Sequence, residues 1–93
     1  MAEVMVHNLH GTKDRLPKDG AKSWLAWWTE RSGETPFWCS NCDCFCTAEV
    51  GAHVQKDGSK ATDRWYIVPL CKGCNSLSTS FEVSEDDLVE VTG

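Results

Sequence analysis

The sequence predicts a small α+β domain, and three observations carry that prediction. Ala21, Trp24, Leu25 and Trp28 fall at i, i+3, i+4 and i+7, an apolar stripe of helical period. Residues 64–70 are β-branched and aromatic and read as a strand, and residues 49–55 suggest a second one. Two cysteine pairs, Cys39-x2-Cys42 and Cys71-x2-Cys74, flank those strands and are separated by 28 residues.

Along the chain, residues 1–20 are polar with scattered apolar groups, and Pro17-Lys18-Asp19-Gly20 is a turn signal. The helix is expected over 21–32 and stops at Gly33, which suits a left-handed C-cap. Trp27 lies beside the main stripe and widens the apolar face. Of the five tryptophans, Trp27 and Trp38 are the ones expected to be partly exposed. Residues 33–38, with Pro36, connect to the cysteine-rich stretch 39–46, and 56–60 is a turn-rich loop. Pro69 sits at the end of the second strand, where a missing N–H does least harm. The polar stretch 75–80 suits a short helix. Residues 88–92 read as a short strand whose acids discourage edge pairing.

Ninety-three residues leave no room for a second core. The expected organisation is one domain: an N-terminal segment and helix (1–36), a metal module (37–80) and an acidic tail (81–93). The chain has 14 acids and 9 bases, net −5, and residues 82–93 hold five of the acids and no base. Residues 1–81 are therefore balanced. A basic footprint, the mark of a backbone-driven nucleic-acid binder, is missing, so a protein partner is expected ahead of nucleic acid. The start lacks a basic segment followed by an apolar run, and no stretch is long enough to span a membrane. The expected location is the cytoplasm, where thiols stay reduced. Six cysteines would otherwise suit a disulfide-stapled secreted domain.

Two residues between cysteines allow a tight turn that aims both sulfurs at one ion. Two such pairs complete a tetrahedral S4 shell, which suits Zn2+. Cys39, Cys42, Cys71 and Cys74 are the expected ligands of one structural zinc. The order of knuckle, strand, strand and a second pair at a helix start is a treble-clef arrangement. A helix start also favours thiolate charge. Bound zinc contributes directly to folding, which a chain this short can use. The first knuckle is ambiguous, because Cys44 or Cys46 can replace Cys42. The two cysteines left over read as small, partly buried apolar residues.

Residues 39–75 resemble the zinc-bearing ββα module of HNH-type nucleases. The matching pieces are Cys39 and Cys42, Gly51-Ala52-His53-Val54, and Ile67-Val68-Pro69-Leu70-Cys71-Lys72-Gly73-Cys74-Asn75. The flanks Asn8-Leu9-His10-Gly11-Thr12 and Ser23-Trp24-Leu25-Ala26-Trp27-Trp28 resemble small bacterial proteins that carry the same GAHV and WYIVPLC stretches. The resemblance implies that His53 is a general base activating water and that Asn75 helps hold a catalytic divalent ion. Ala52, however, occupies the place where active members carry an Asp or His ligand, and Asp63 is the nearest counterpart to their middle Asn. Asn75 alone is too little for a hard cation that wants several oxygens. The expected function is therefore a non-catalytic binding module, with a divergent HNH-like endonuclease as the alternative. In the former, His53 packs beside the zinc shell and His10 is a polar loop residue. In the latter, His10 faces His53 across a cleft.

Overall fold

The structure is a computed structural model, and it describes residues 2–9, 23–58 and 64–91. The expected turn at 17–20 and the residues His10 and Asp63 lie outside the described residues.

The fold is α+β. Strands β1 (Glu3–Asn8), β2 (Val50–Lys56), β3 (Tyr66–Leu70), β4 (Phe81–Ser84) and β5 (Val89–Glu90) form one antiparallel sheet in the order β4-β1-β2-β3-β5. Helix α1 (Trp24–Ser32) and the one-turn helix α2 (Lys72–Asn75) complete it, with a 3-10 turn over Glu85–Asp87. The three expected parts share this sheet: β1 comes from the N-terminal segment, β2 and β3 from the metal module, and β4 and β5 from the tail.

Two strands were not expected. In β1, Val6 and Asn8 are buried while Glu3 and Met5 are exposed, a period-2 pattern diluted by its polar members. In β4, Phe81 and Val83 are buried on one side. Each strand is only half apolar, and each forms by pairing: Val4 lies opposite Val83 and Val6 opposite Phe81. The strand expected at 88–92 is reduced to Val89–Glu90, opposite Ile67 and Tyr66. The helix expected in 75–80 is instead Lys72–Asn75.

Register divides the sheet into two faces. Val6, Ala52, Val54, Val68, Leu70, Phe81 and Val83 pack together with Cys39, Cys71 and Cys74 on one face. Ile67 packs with Trp27 and Trp28 of α1 on the other. Successive strand residues point to opposite sides, so His53 and Gly51 belong to the helix face while Ala52 and Val54 belong to the cysteine face.

Helix α1 is capped at both ends. The Ser23 hydroxyl accepts from the Ala26 N–H, and Gly33, at φ 74°, donates its N–H to the Thr29 carbonyl. Its position is set by Gly51. A Cβ there would lie 2.5 Å from the Leu25 nitrogen and from the Trp24 carbonyl carbon, so the first turn of α1 rests directly on the β2 backbone. The buried residues of α1 are Trp27 and Trp28, with Trp24 partly buried against them, and Ala21 of the expected stripe lies outside the described residues. Trp27, expected to be partly exposed, is buried, and the Arg31 guanidinium covers its ring at 5.4 Å. The Trp28 indole N–H donates to the Asp87 carbonyl at 2.7 Å, which ties the helix to the tail. Among the described residues, no helix is long and apolar enough to cross a membrane.

Candidate metal centre

The cysteine face of the sheet is closed by two short segments. One is the hairpin of residues 37–48. It is held by the Cys39 N–H to the Cys46 carbonyl (2.8 Å) and the Ala48 N–H to the Phe37 carbonyl (3.0 Å), with Trp38 bridged to Thr47. The other is α2, where the Cys71 sulfur caps the first turn by accepting from the Cys74 N–H at 3.4 Å. The Glu49 carboxylate accepts from the Lys72 N–H at 3.1 Å and satisfies another free donor of that turn.

Both segments are pinned to the sheet. The Ser40 N–H donates to the Pro69 carbonyl at 2.8 Å. Asn8 of β1 donates through its Nδ2 to the carbonyls of Cys74 and Leu77, both at 2.9 Å. Its Oδ1 is buried with no partner among the described residues, so its donor end alone does the positioning.

These constraints bring Cys39, Cys44, Cys71 and Cys74 together, with all four sulfurs within 4.8 Å of one another. Such a group can hold a metal ion such as zinc. The sulfurs of Cys44 and Cys71 are 3.8 Å apart, and every cysteine is a free thiol. A disulfide requires about 2.05 Å. A ZnS4 tetrahedron with bonds near 2.3 Å has sulfur–sulfur edges of about 3.8 Å.

Cys42, the expected second ligand, does not belong to this group, and Cys44 takes its place. The reason lies in the pairing of this segment with β4. Asn41 is bridged to Val83 of β4, and the Cys42 N–H donates to the Glu82 carbonyl at 2.9 Å, so the backbone is extended here and adjacent side chains point opposite ways. Asn41 points inward, is buried, and donates to the Cys74 sulfur at 3.5 Å; Cys42 points outward and is exposed. The chain then turns back. The Asn41 Oδ1 accepts from the Asp43 N–H at 3.0 Å and the Asn41 carbonyl from the Cys44 N–H at 2.9 Å, which returns Cys44 to the cluster. Cys46 is exposed and lies outside the group. The sequence signal for this turn is the Asn-Cys-Asp triplet within Cys39-x4-Cys44.

The thiols are electrostatically unequal. The backbone N–H of Cys46 and then the neighbouring thiols of Cys74 and Cys71 bring Cys44 down to about 7. Burial pushes the Cys39 and Cys74 thiols up. Buried sulfurs of this kind take thiolate form when a cation compensates their charge.

His53 and Asn75, the residues that the nuclease resemblance assigns to catalysis, do not meet. His53 is buried on the helix face, with its ring centroid 4.7 Å from those of both Trp24 and Trp65. Asn75 ends α2 on the cysteine side and is exposed. The sheet lies between them. His53 therefore also does not pack against the cysteine cluster, as was expected for a structural role.

Comparison of the chain with family models, with curated proteins and with solved structures returned no match.

Proposed function

We propose that this chain is a zinc-stabilised binding module in which Cys39, Cys44, Cys71 and Cys74 hold one structural Zn2+ in a treble-clef-like setting. The carrying observation is the sulfur geometry: four sulfurs within 4.8 Å, one edge at the tetrahedral value, three of the four cysteines buried. All four positions are sulfur, so the ion has no open site for water or substrate. That is the pattern of a structural rather than a catalytic centre. Zinc here does the work of a core. It links the 37–48 hairpin to α2 across a sheet face otherwise covered by valines, Ala52, Leu70 and Phe81.

The separation of His53 from Asn75 favours binding over phosphodiester cleavage. A general base must lie within hydrogen-bond reach of its water, and a buried imidazole flanked by two indoles is poorly placed for that. The test is metal content by mass spectrometry combined with thermal melting in a chelator. The expected result is one zinc per chain, a large fall in melting temperature on chelation and recovery on adding zinc. A Co2+-loaded sample should show the visible bands of tetrahedral thiolate coordination. A chelator that leaves the melting curve unchanged refutes the proposal.

A further inference from the structure

We propose that Cys46 is a thiol-modification site: it reacts with a small-molecule disulfide of the glutathione class and passes the oxidation to Cys39, closing a Cys39–Cys46 bridge across the hairpin. The consequence for the metal, loss of one of its four sulfurs, rests on the zinc-centre reading.

The hairpin register places the two cysteines. Trp38 is bridged to Thr47, and that pair is flanked by the Cys39 N–H to the Cys46 carbonyl at 2.8 Å and the Ala48 N–H to the Phe37 carbonyl at 3.0 Å. One position along the antiparallel arms, Cys39 therefore lies opposite Cys46. Opposite residues of such a ribbon point to the same face, with Cα atoms about 5.5 Å apart in a hydrogen-bonded pair. Disulfides favour Cα separations of about 5.5–6 Å, so the two arms are already spaced for one. Cys39 faces the sulfur cluster, and Cys46 consequently stands on the cluster's side of the hairpin, at its rim. Trp38, one position back, takes the other side and is 61% exposed.

Exposure separates the two roles. Cys46 is exposed, Cys39 is buried, and both are free thiols. An accessible thiol poised beside a second, resolving thiol is the arrangement of an oxidation-sensing pair. Cys42 is also exposed, but it points away from the cluster that holds Cys39, because its N–H is bonded to the Glu82 carbonyl of β4.

Two exchanges complete the reaction. The Cys46 sulfur attacks one sulfur of the small disulfide. A mixed disulfide forms, the small molecule's S–S bond breaks, and one small thiol leaves with the Cys46 proton. The Cys39 sulfur then attacks the Cys46 sulfur. The Cys39–Cys46 bond forms, the mixed bond breaks, and the second small thiol leaves with a proton from Cys39, or from water where Cys39 is already a thiolate. Each protein sulfur loses one electron, and the small disulfide gains both. A bridged Cys39 no longer offers a thiolate, which leaves Cys44, Cys71 and Cys74 of the metal group.

The experiment incubates the zinc-loaded protein with oxidised glutathione. Zinc release is followed with a chromogenic chelator too weak to strip the reduced protein, and the oxidised positions are mapped by differential alkylation and tandem mass spectrometry. The expected product has lost two hydrogens, has its blocked thiols at Cys39 and Cys46, and releases zinc in step with the bridge. A reductant with added zinc is expected to reverse both. Cys46→Ser is expected to keep the parent's zinc content and melting curve and to lose both the bridge and the oxidant-driven release. Cys42→Ser is expected to react as the parent does.

Zinc release at the parent rate from Cys46→Ser overturns the proposal, because the ligand thiols are then attacked directly. A bridge mapped to Cys42, or between Cys44 and Cys46, overturns it too, and so does a glutathionyl adduct that stays on Cys46 without closing a bridge. The metal reading fails separately: a chain that binds no zinc and keeps its melting curve in chelator, yet closes the Cys39–Cys46 bridge, refutes the zinc and leaves the modification site standing.

Discussion

Serine substitution at two neighbouring cysteines separates the zinc ligand from its look-alike. Cys42 and Cys44 are two residues apart, and the regular Cys-x2-Cys spacing favours Cys42. The structure places the Cys44 sulfur 3.8 Å from that of Cys71 and leaves Cys42 exposed outside the group. Structural zinc sites in small peptides bind with about 10–16 kcal/mol at pH 7, or about 3 kcal/mol for an average thiolate of four. That corresponds to about two decades in dissociation constant. Cys44→Ser is thus expected to weaken zinc binding about 100-fold or more, and Cys42→Ser by less than about threefold. Competition against a chromogenic chelator of known affinity measures both, with melting curves as a second readout. A Cys42→Ser variant that loses zinc while Cys44→Ser keeps it would show that the turn at Asn41 is not what selects the ligand.

Other consequences are equally direct. Gly51→Ala drives a Cβ into the α1 backbone, and overpacking of this kind costs about 3 kcal/mol; at about 4–8 °C per kcal/mol, the melting temperature should fall by about 15 °C. Gly33→Ala, where a Cβ meets nothing, should cost about 1 kcal/mol through its positive φ alone. Asn8→Ala removes the donor shared by the Cys74 and Leu77 carbonyls and should cost about 2 kcal/mol in denaturant unfolding, with weaker zinc retention. Asp57 accepts from the Ser80 hydroxyl and pairs with His7, both at 2.9 Å, and these contacts hold its carboxyl below the usual 3.8. Its contribution is therefore present above pH 3.8 and lost as pH falls through the lowered value. Ser80→Ala should move the Asp57 titration midpoint, read by carbon NMR, back toward 3.8.

Much of the frame was legible in the residues. The helix is stopped by Gly33 as expected, because a left-handed cap is a local requirement that glycine meets. The strands at 49–55 and 64–70 appear as Val50–Lys56 and Tyr66–Leu70, the second because its β-branched and aromatic run carries its preference with it. Strands β1 and β4 were illegible for the opposite reason. Their apolar alternation is short and mixed with acids and amides, and each becomes a strand only against the other. The burial of Trp27 was likewise hidden: it lies beside the expected stripe, and the close approach at Gly51 sets which side of α1 meets the sheet.

The sequence by itself determined that six cysteines on a chain of 93 residues come as two clusters flanking a strand pair, and that the fold is α+β. Spacing, caps and period-2 runs are local properties, and they survive reading one residue at a time. Only the tertiary structure decided which sulfurs meet and which face each side chain takes. Pairing of Asn41 with Val83 turns Cys42 outward and lets Cys44 return, and the register of β2 puts His53 under the helix, away from the cysteines. Both outcomes depend on contacts between residues distant in the chain: Asn41 with Val83 for the cysteines, and His53 with Ile67 and Trp24 for the helix face. No local pattern encodes those contacts.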